Sequence, residues 1–144
     1  MKIKNLLLFT FVLAGLACPA AMVRADSAGP VNGPSSAVQS SAGATVYANV
    51  CQGCHMANAQ GATGAATIPA LAGNNHLAAP AYPIYVVLYG HGAMPALGEL
   101  LGDDQIAAVL NYVRQNFGNH FSGQISPSEV KASRIPGRSY AGGF

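Results

Sequence analysis

Apolar residues recur at helical spacing in three parts of the chain. Tyr47, Val50, Cys51 and Cys54 follow i, i+3, i+4, i+7, which predicts a short helix starting near Gly43. A second helix is predicted through "IYVVLY", residues 84–89, with Pro83 suited to its first turn and Gly90 ending it. The clearest stripe lies in "GDDQIAAVLNYVRQNFGN", where Ile106, Val109, Leu110, Val113 and Phe117 share one face. Asp103 and Asp104 favour the positive N-terminal end of that helix, Arg114 falls in its last turn and Gly118 can supply the C-cap. A weaker helical signal starts at Ser126-Pro127 and runs to about Arg134. No segment alternates like a strand and no internal repeat occurs, so the expected fold class is all-α, with three to four helices.

The segments between these elements set the expected organisation. Lys2 and Lys4 precede an apolar run from Leu6 to Ala17, and small residues follow up to Val23-Arg24-Ala25. That is the plan of a secretory signal peptide, 1–25, and the run is short for a membrane span. Cys18 ends the apolar run, but Gly15-Leu16-Ala17 before it is a poor match to a lipoprotein signal. Residues 26–42 hold five Ser, two Gly and two Pro without periodicity and read as a flexible leader. The ordered domain is expected over 43–120, with 121–144 as a tail that carries the weaker helix. Inside the domain, residues 56–82 are mostly Gly, Ala, Asn and Pro, a long irregular stretch that a bound group would explain.

Charge alters the picture once the signal is set aside. Arg114, Lys131, Arg134 and Arg138 remain against Asp26, Glu99, Asp103, Asp104 and Glu129, a net charge of −1. Nothing in this points to nucleic acid. Three helices and a long loop also make a thin core, and domains of that size usually need a disulfide, a metal or a bound group.

Cys51-Gln52-Gly53-Cys54-His55 is the candidate for that staple. A thioredoxin-type dithiol expects a βαβ setting, and no strand pattern precedes the motif. A structural zinc site needs four ligands, and His76, His91 and His120 stand alone. A disulfide across two residues closes too small a loop to stabilise much. C-x-x-C-H is also the haem c attachment run. Two thiols one helical turn apart can form thioethers with the two vinyl groups on one porphyrin edge, and the following His55 can then bind iron. Met94, in "GHGAMPALG", is the candidate second ligand, since a thioether favours ferrous iron and raises the potential. His91, in the same loop, is the competing ligand.

With these features in order, the chain from Gly43 to about Asn119 resembles a small class I cytochrome c. Gly43 and Tyr47, with Tyr112, resemble the family's crossing of first and last helices. "IPALAG" resembles its Pro-x-Leu turn. The resemblance implies a cytochrome c fold wrapped around one haem c, attached through Cys51 and Cys54 with His55 and Met94 as axial ligands. It also implies that the Pro69 carbonyl accepts a hydrogen bond from the His55 ring and that Leu71 packs on the haem. Gly102 departs from a helix-capping serine. No tryptophan is present, so Tyr82, Tyr85 and Tyr89 are the candidate replacements on the propionate side.

The chain is also similar to monohaem cytochromes that serve periplasmic dehydrogenases. The implied function is a periplasmic electron carrier, not an enzyme. A dehydrogenase would be its donor, and a respiratory chain, an oxidase or another cytochrome its acceptor, with no membrane span in the mature protein. Two alternatives stand beside it: a cytochrome subunit fixed in a dehydrogenase complex, and a haem peroxidase or gas sensor. Only Glu99, Asp103, Asp104 and Arg114 are charged between residues 43 and 119, so a largely uncharged docking face is expected.

Overall fold

A computed structural model describes residues 36–138 and Tyr140. The expected signal segment and the leader up to residue 35 lie outside the described residues. Helix α1 (Ser36–Val46) begins before the expected onset of order at Gly43, so residues 36–42 are helical rather than a flexible leader. Its Ser- and Ala-rich sequence has little apolar periodicity; what holds it is packing against α4 (Asp103–Gln115). Gly43 sits at that crossing. A Cβ there would press on the Ala108 carbonyl and lie 2.7 Å from the Tyr112 Cβ. A mid-helix glycine costs about 1 kcal/mol relative to alanine, and here it permits the close approach of two backbones.

The helical run does not stop at Val46. It passes through a π-type turn (Tyr47–Cys51) into α2 (Gln52–His55). Such wide turns shift the register of a helix and are frequent at functional sites. Met56, with φ 67° and ψ 161°, ends the run directly after His55.

The stretch 56–82 is less irregular than its composition suggests. Two-residue strands β1 (Ala62–Thr63) and β2 (Thr67–Ile68) pair antiparallel, Ala62 opposite Ile68. They are too short to leave an alternating pattern. Ala59 is fully buried, and its carbonyl accepts from the N–H groups of Leu71 and Ala72 at 2.8 and 3.0 Å. A 3₁₀ turn (Asn75–Leu77) follows, capped by the Asn74 side chain, which accepts from His76 N–H at 2.9 Å. Helix α3 (Ala81–Tyr89) then places Pro83 in its first turn.

At the N-terminus of α4, Gln105 Oε1 accepts from the Gly102 N–H at 3.0 Å, which is half of a capping box because glycine has no side chain to reciprocate. At its other end the helix stops at Gln115 with Asn116 as C-cap, and the left-handed positions are Phe117 and Gly118. Phe117 therefore lies beyond the helix, yet its ring still packs 4.9 Å from that of Tyr47.

The expected tail is part of the core, which corrects the domain boundary at residue 120. Helix α5 (Pro127–Ala132) is capped by reciprocal Ser126–Glu129 bonds, and Ile125 and Val130 are buried among α3 and α4 residues. Asn111 exchanges two 2.8 Å hydrogen bonds with the backbone of Ile125. Arg114, 1% exposed, donates to four carbonyls: Leu77, Ala78, Ser122 and Gly123. Burial lowers the pKa of its guanidinium, and Glu129 offsets part of that. The tail is fastened by polar side chains reaching backbone carbonyls, which a hydrophobic pattern does not register. Among the described residues, no helix is long and apolar enough to cross a membrane.

Candidate functional site

A cavity of about 370 Å³ opens between the end of α2, the loop 69–77, α3, the loop after α3 and α4. Cys51, Cys54, His55, Pro69, Leu71 and Met94 all line it. Its remaining wall is mainly apolar, with Val50, Val87, Leu97, Val109, Leu110 and Val113. A second cleft of about 420 Å³ shares Cys54, His55, Pro69 and Met94 and is completed by the β2 hairpin and by His91 and Gly92. No Asp, Glu, Lys or Arg lines either space.

The π-type turn and α2 carry the two cysteines, with Cys51 half-buried and Cys54 exposed. Burial, with Cys54 adding to it, pushes the Cys51 thiol up to about 11. A thiol–disulfide nucleophile or a zinc thiolate needs the opposite shift, toward the ionised form. Among the described residues, no three His, Cys, Asp or Glu side chains gather as a metal-ion set. The local chemistry suits a neutral Cys51 thiol.

His55 is 8% exposed. Its Nδ1 lies 3.1 Å from the Pro69 carbonyl oxygen, and with the proton on Nδ1 the ring donates to that carbonyl. Nε2 is then the nitrogen left to bind a metal, with ring orientation fixed from behind. The surrounding chain is fastened too. The Gly61 N–H donates to the His55 carbonyl at 3.1 Å, and the Tyr47 hydroxyl donates to the Met56 carbonyl at 2.8 Å. Burial, then the neighbouring Cys51 and Tyr112, push the Tyr47 phenol up to about 12, so it stays a donor. Asn119, 1% exposed, holds the far side of the loop: it donates to the Leu71 and Val113 carbonyls at 2.8 and 2.9 Å and accepts from Asn74 N–H at 3.0 Å.

Met94 comes from the loop between α3 and α4. His91 and Met94 exchange backbone hydrogen bonds at 3.1 and 3.0 Å, closing a tight turn around Gly92. Gly90, at φ 75°, packs so close that a Cβ would lie 2.6 Å from the Met94 carbonyl oxygen. Met94 is half-buried and lines both spaces, whereas His91 is exposed and lines only the outer cleft. His76 also lines the inner cavity, with its ring 5.7 Å from that of Tyr82, and Asn74 lies beside it. Of the three candidate tyrosines, Tyr82 alone lines these spaces. His76 and Asn74 carry no motif, so only the folded loop reveals them. His120 lines neither space.

The residues present suit a large, flat, mostly apolar group that takes an imidazole nitrogen and a soft thioether sulfur as ligands. A family model described as cytochrome C oxidase, cbb3-type, subunit III, matches residues 38–113, which include all six of the residues above. The cytochrome c subunit of the quinone alcohol dehydrogenase of Gluconobacter oxydans is 32% identical over 112 residues, which are 69% of this chain and 23% of that protein. The gluconate 2-dehydrogenase cytochrome c subunit of Pantoea cypripedii is 33% identical over 110 residues, 66% of this chain and 24% of that one. Cytochrome c-552 of Thermus thermophilus is 38% identical over 96 residues, 54% of this chain and 69% of that protein. The chain thus spans about a quarter of each of the two dehydrogenase subunits. Residues beyond 113 fall outside the family match.

Proposed function

The chain belongs to the c-type cytochrome family, and from that premise we propose that it carries single electrons as a monohaem protein in which His55 and Met94 would hold the iron. The observation that carries this reading is the convergence of both thiols, the His55 imidazole and the Met94 thioether on one apolar cavity. The haem supplies, when bound, the reversible ferric–ferrous couple. The protein's own work is placement. Cys51 and Cys54 would hold the cofactor through thioether bonds rather than by an equilibrium. The Pro69 carbonyl, through His55 Nδ1, fixes the imidazole and makes Nε2 a better donor. Leu71, Val109, Leu110 and Val113 line the cavity and would exclude water, and Met94 would supply a thioether to the iron in place of other ligands.

The donor in this reading is a dehydrogenase, as the printed names of two relatives suggest, and the acceptor is a respiratory chain, an oxidase or another cytochrome. Export by residues 1–25 places the exchange in the periplasm. A fixed dehydrogenase subunit is the second reading, supported by the same two relatives. Deleting 121–144 does not separate the two readings, because it removes the buried Ile125 and Val130. Co-elution of the intact protein with a dehydrogenase from a periplasmic extract favours the subunit; elution alone favours the free carrier.

The electron-carrier reading is tested on the purified holoprotein. Potentiometric titration should be reversible with one electron per haem, and carbon monoxide should leave the reduced spectrum unchanged. Because the cleft around Met94 carries no charged side chain, the rate of electron exchange with a partner should change by less than about twofold between low and high salt. Ready carbon monoxide binding would point to an open-site haem enzyme or sensor instead.

A further inference from the structure

The loop that carries Met94 is held at both ends by the C-terminal segment. At its start, the Tyr89 hydroxyl donates to the Ser133 carbonyl at 3.1 Å and accepts from the Ile135 N–H at 2.6 Å. The Tyr140 ring stacks on Tyr89 with centroids 5.3 Å apart and planes 5° from parallel, and the Arg138 guanidinium carbon lies 4.5 Å from the Tyr89 centroid. Tyr89 is the last residue of α3, immediately before the Met94 loop.

At the far end of the loop, Arg134 Nη1 donates to the Gly98 carbonyl at 2.7 Å and Nη2 donates to the Leu101 carbonyl at 3.2 Å. Its Nε donates to Asp103 Oδ1 at 2.6 Å, which ties the same side chain to the start of α4. Gly98 itself is wedged: a Cβ there would strike the Tyr140 ring and lie 2.8 Å from the Leu88 carbonyl oxygen. Between these anchors, the Leu97 and Gly98 N–H groups donate to the Val87 and Leu88 carbonyls, and Leu97 joins Met94 in the cavity wall.

We propose that residues 133–138 and Tyr140 act as a clamp on the Met94 loop, with Arg134 as the positioning residue that would keep the Met94 thioether in place as an iron ligand. The inference rests on Met94 being the axial ligand. The clamp lies beyond residue 113, outside the matched family region. Arg134 suits the role because one planar cation reaches the loop's last carbonyls and the first turn of the next helix at once. Opening the loop breaks those charge-assisted bonds, which raises the cost of losing the iron–sulfur bond.

The test is binding of added imidazole to the ferric holoprotein, because imidazole enters only when Met94 leaves. Arg134→Ala should raise the apparent imidazole affinity about tenfold and weaken the far-red methionine–iron absorption, an effect that a merely structural role would not produce. Arg134→Lys, which keeps a cation near Asp103 but loses the fork, should raise it about threefold, and it replaces the alanine variant if that one does not fold. Affinity equal to that of the parent protein in the variant measured, even with a lower melting temperature, overturns the clamp. The parent and Met94→Ala are run alongside. A parent without the far-red band, or a Met94→Ala variant that keeps it, refutes the ligand assignment itself. A parent band lost in Met94→Ala, with Arg134 variants indistinguishable from the parent, refutes the clamp alone.

Discussion

With Cys51 and Cys54 both changed to serine, the chain is expected to lose its cooperative thermal transition and most of its helical circular dichroism. The reason is the cavity that the two thiols border. It measures about 370 Å³ and is walled by Val50, Leu71, Val87, Leu97, Val109, Leu110 and Val113, which have no other partner on that side. At ~24 cal/mol per Å³, an empty space of that size corresponds to roughly 9 kcal/mol, an upper figure because the mouth admits water. Typical domains have about 5–15 kcal/mol in total, so the loss is comparable to the whole stability. Single substitutions, Cys51→Ser or Cys54→Ser, retain one thioether and should fall between. Haem content by pigment absorbance, with melting followed at the same time, checks the expectation. A double variant that melts like the parent without haem would show that protein packing alone holds the domain.

The second large effect is expected at Arg114. Its guanidinium satisfies the carbonyls of Leu77, Ala78, Ser122 and Gly123, joining the cavity loop and the C-terminal segment to α4. Arg114→Ala removes four hydrogen bonds from a charged donor, each worth about 1.5–3 kcal/mol when buried; it orphans the buried Leu77 carbonyl, while those of the exposed Ala78, Ser122 and Gly123 regain water. A net loss of roughly 4 kcal/mol follows, which lowers Tm by about 15 °C or more in a domain of this size. Arg114→Lys offers a compact point charge instead of a fork and should lose about half as much. Because the side chain lines neither cleft, the ferric spectrum of whatever folds should match the parent's. Calorimetry and the optical spectrum, taken together, test both halves.

Much of the site was legible in the sequence because its chemistry is concentrated in few residues. Cys51, Cys54 and His55 lie within five positions, and Met94 is flanked by Gly90, Gly92 and Pro95 in a loop that stands out from the helices beside it. Helix α4 was legible because Ile106, Val109, Leu110 and Val113 keep one face. Other parts rest on interactions that no local pattern encodes. Helix α1 is Ser- and Ala-rich, and what packs it on α4 is the close approach at Gly43, which no apolar period marks. Among the described residues of the C-terminal segment, Ile125 and Val130 are the buried apolar ones, and Asn111, Arg114 and Arg134 fasten it through carbonyls or N–H groups distant in the chain. Phe117 satisfies the helical period of α4 yet lies past its end, where a left-handed backbone turns the chain. His76 and Tyr82 meet only because the 3₁₀ turn and α3 fold against each other.

The central claim is ligation of one haem by His55 and Met94, and its most direct test is the far-red absorption of the ferric holoprotein. The parent should show the methionine–iron band, and Met94→Ala should lack it while keeping the haem bound through Cys51 and Cys54. A parent protein without that band, or a Met94→Ala variant that retains it, would contradict the account.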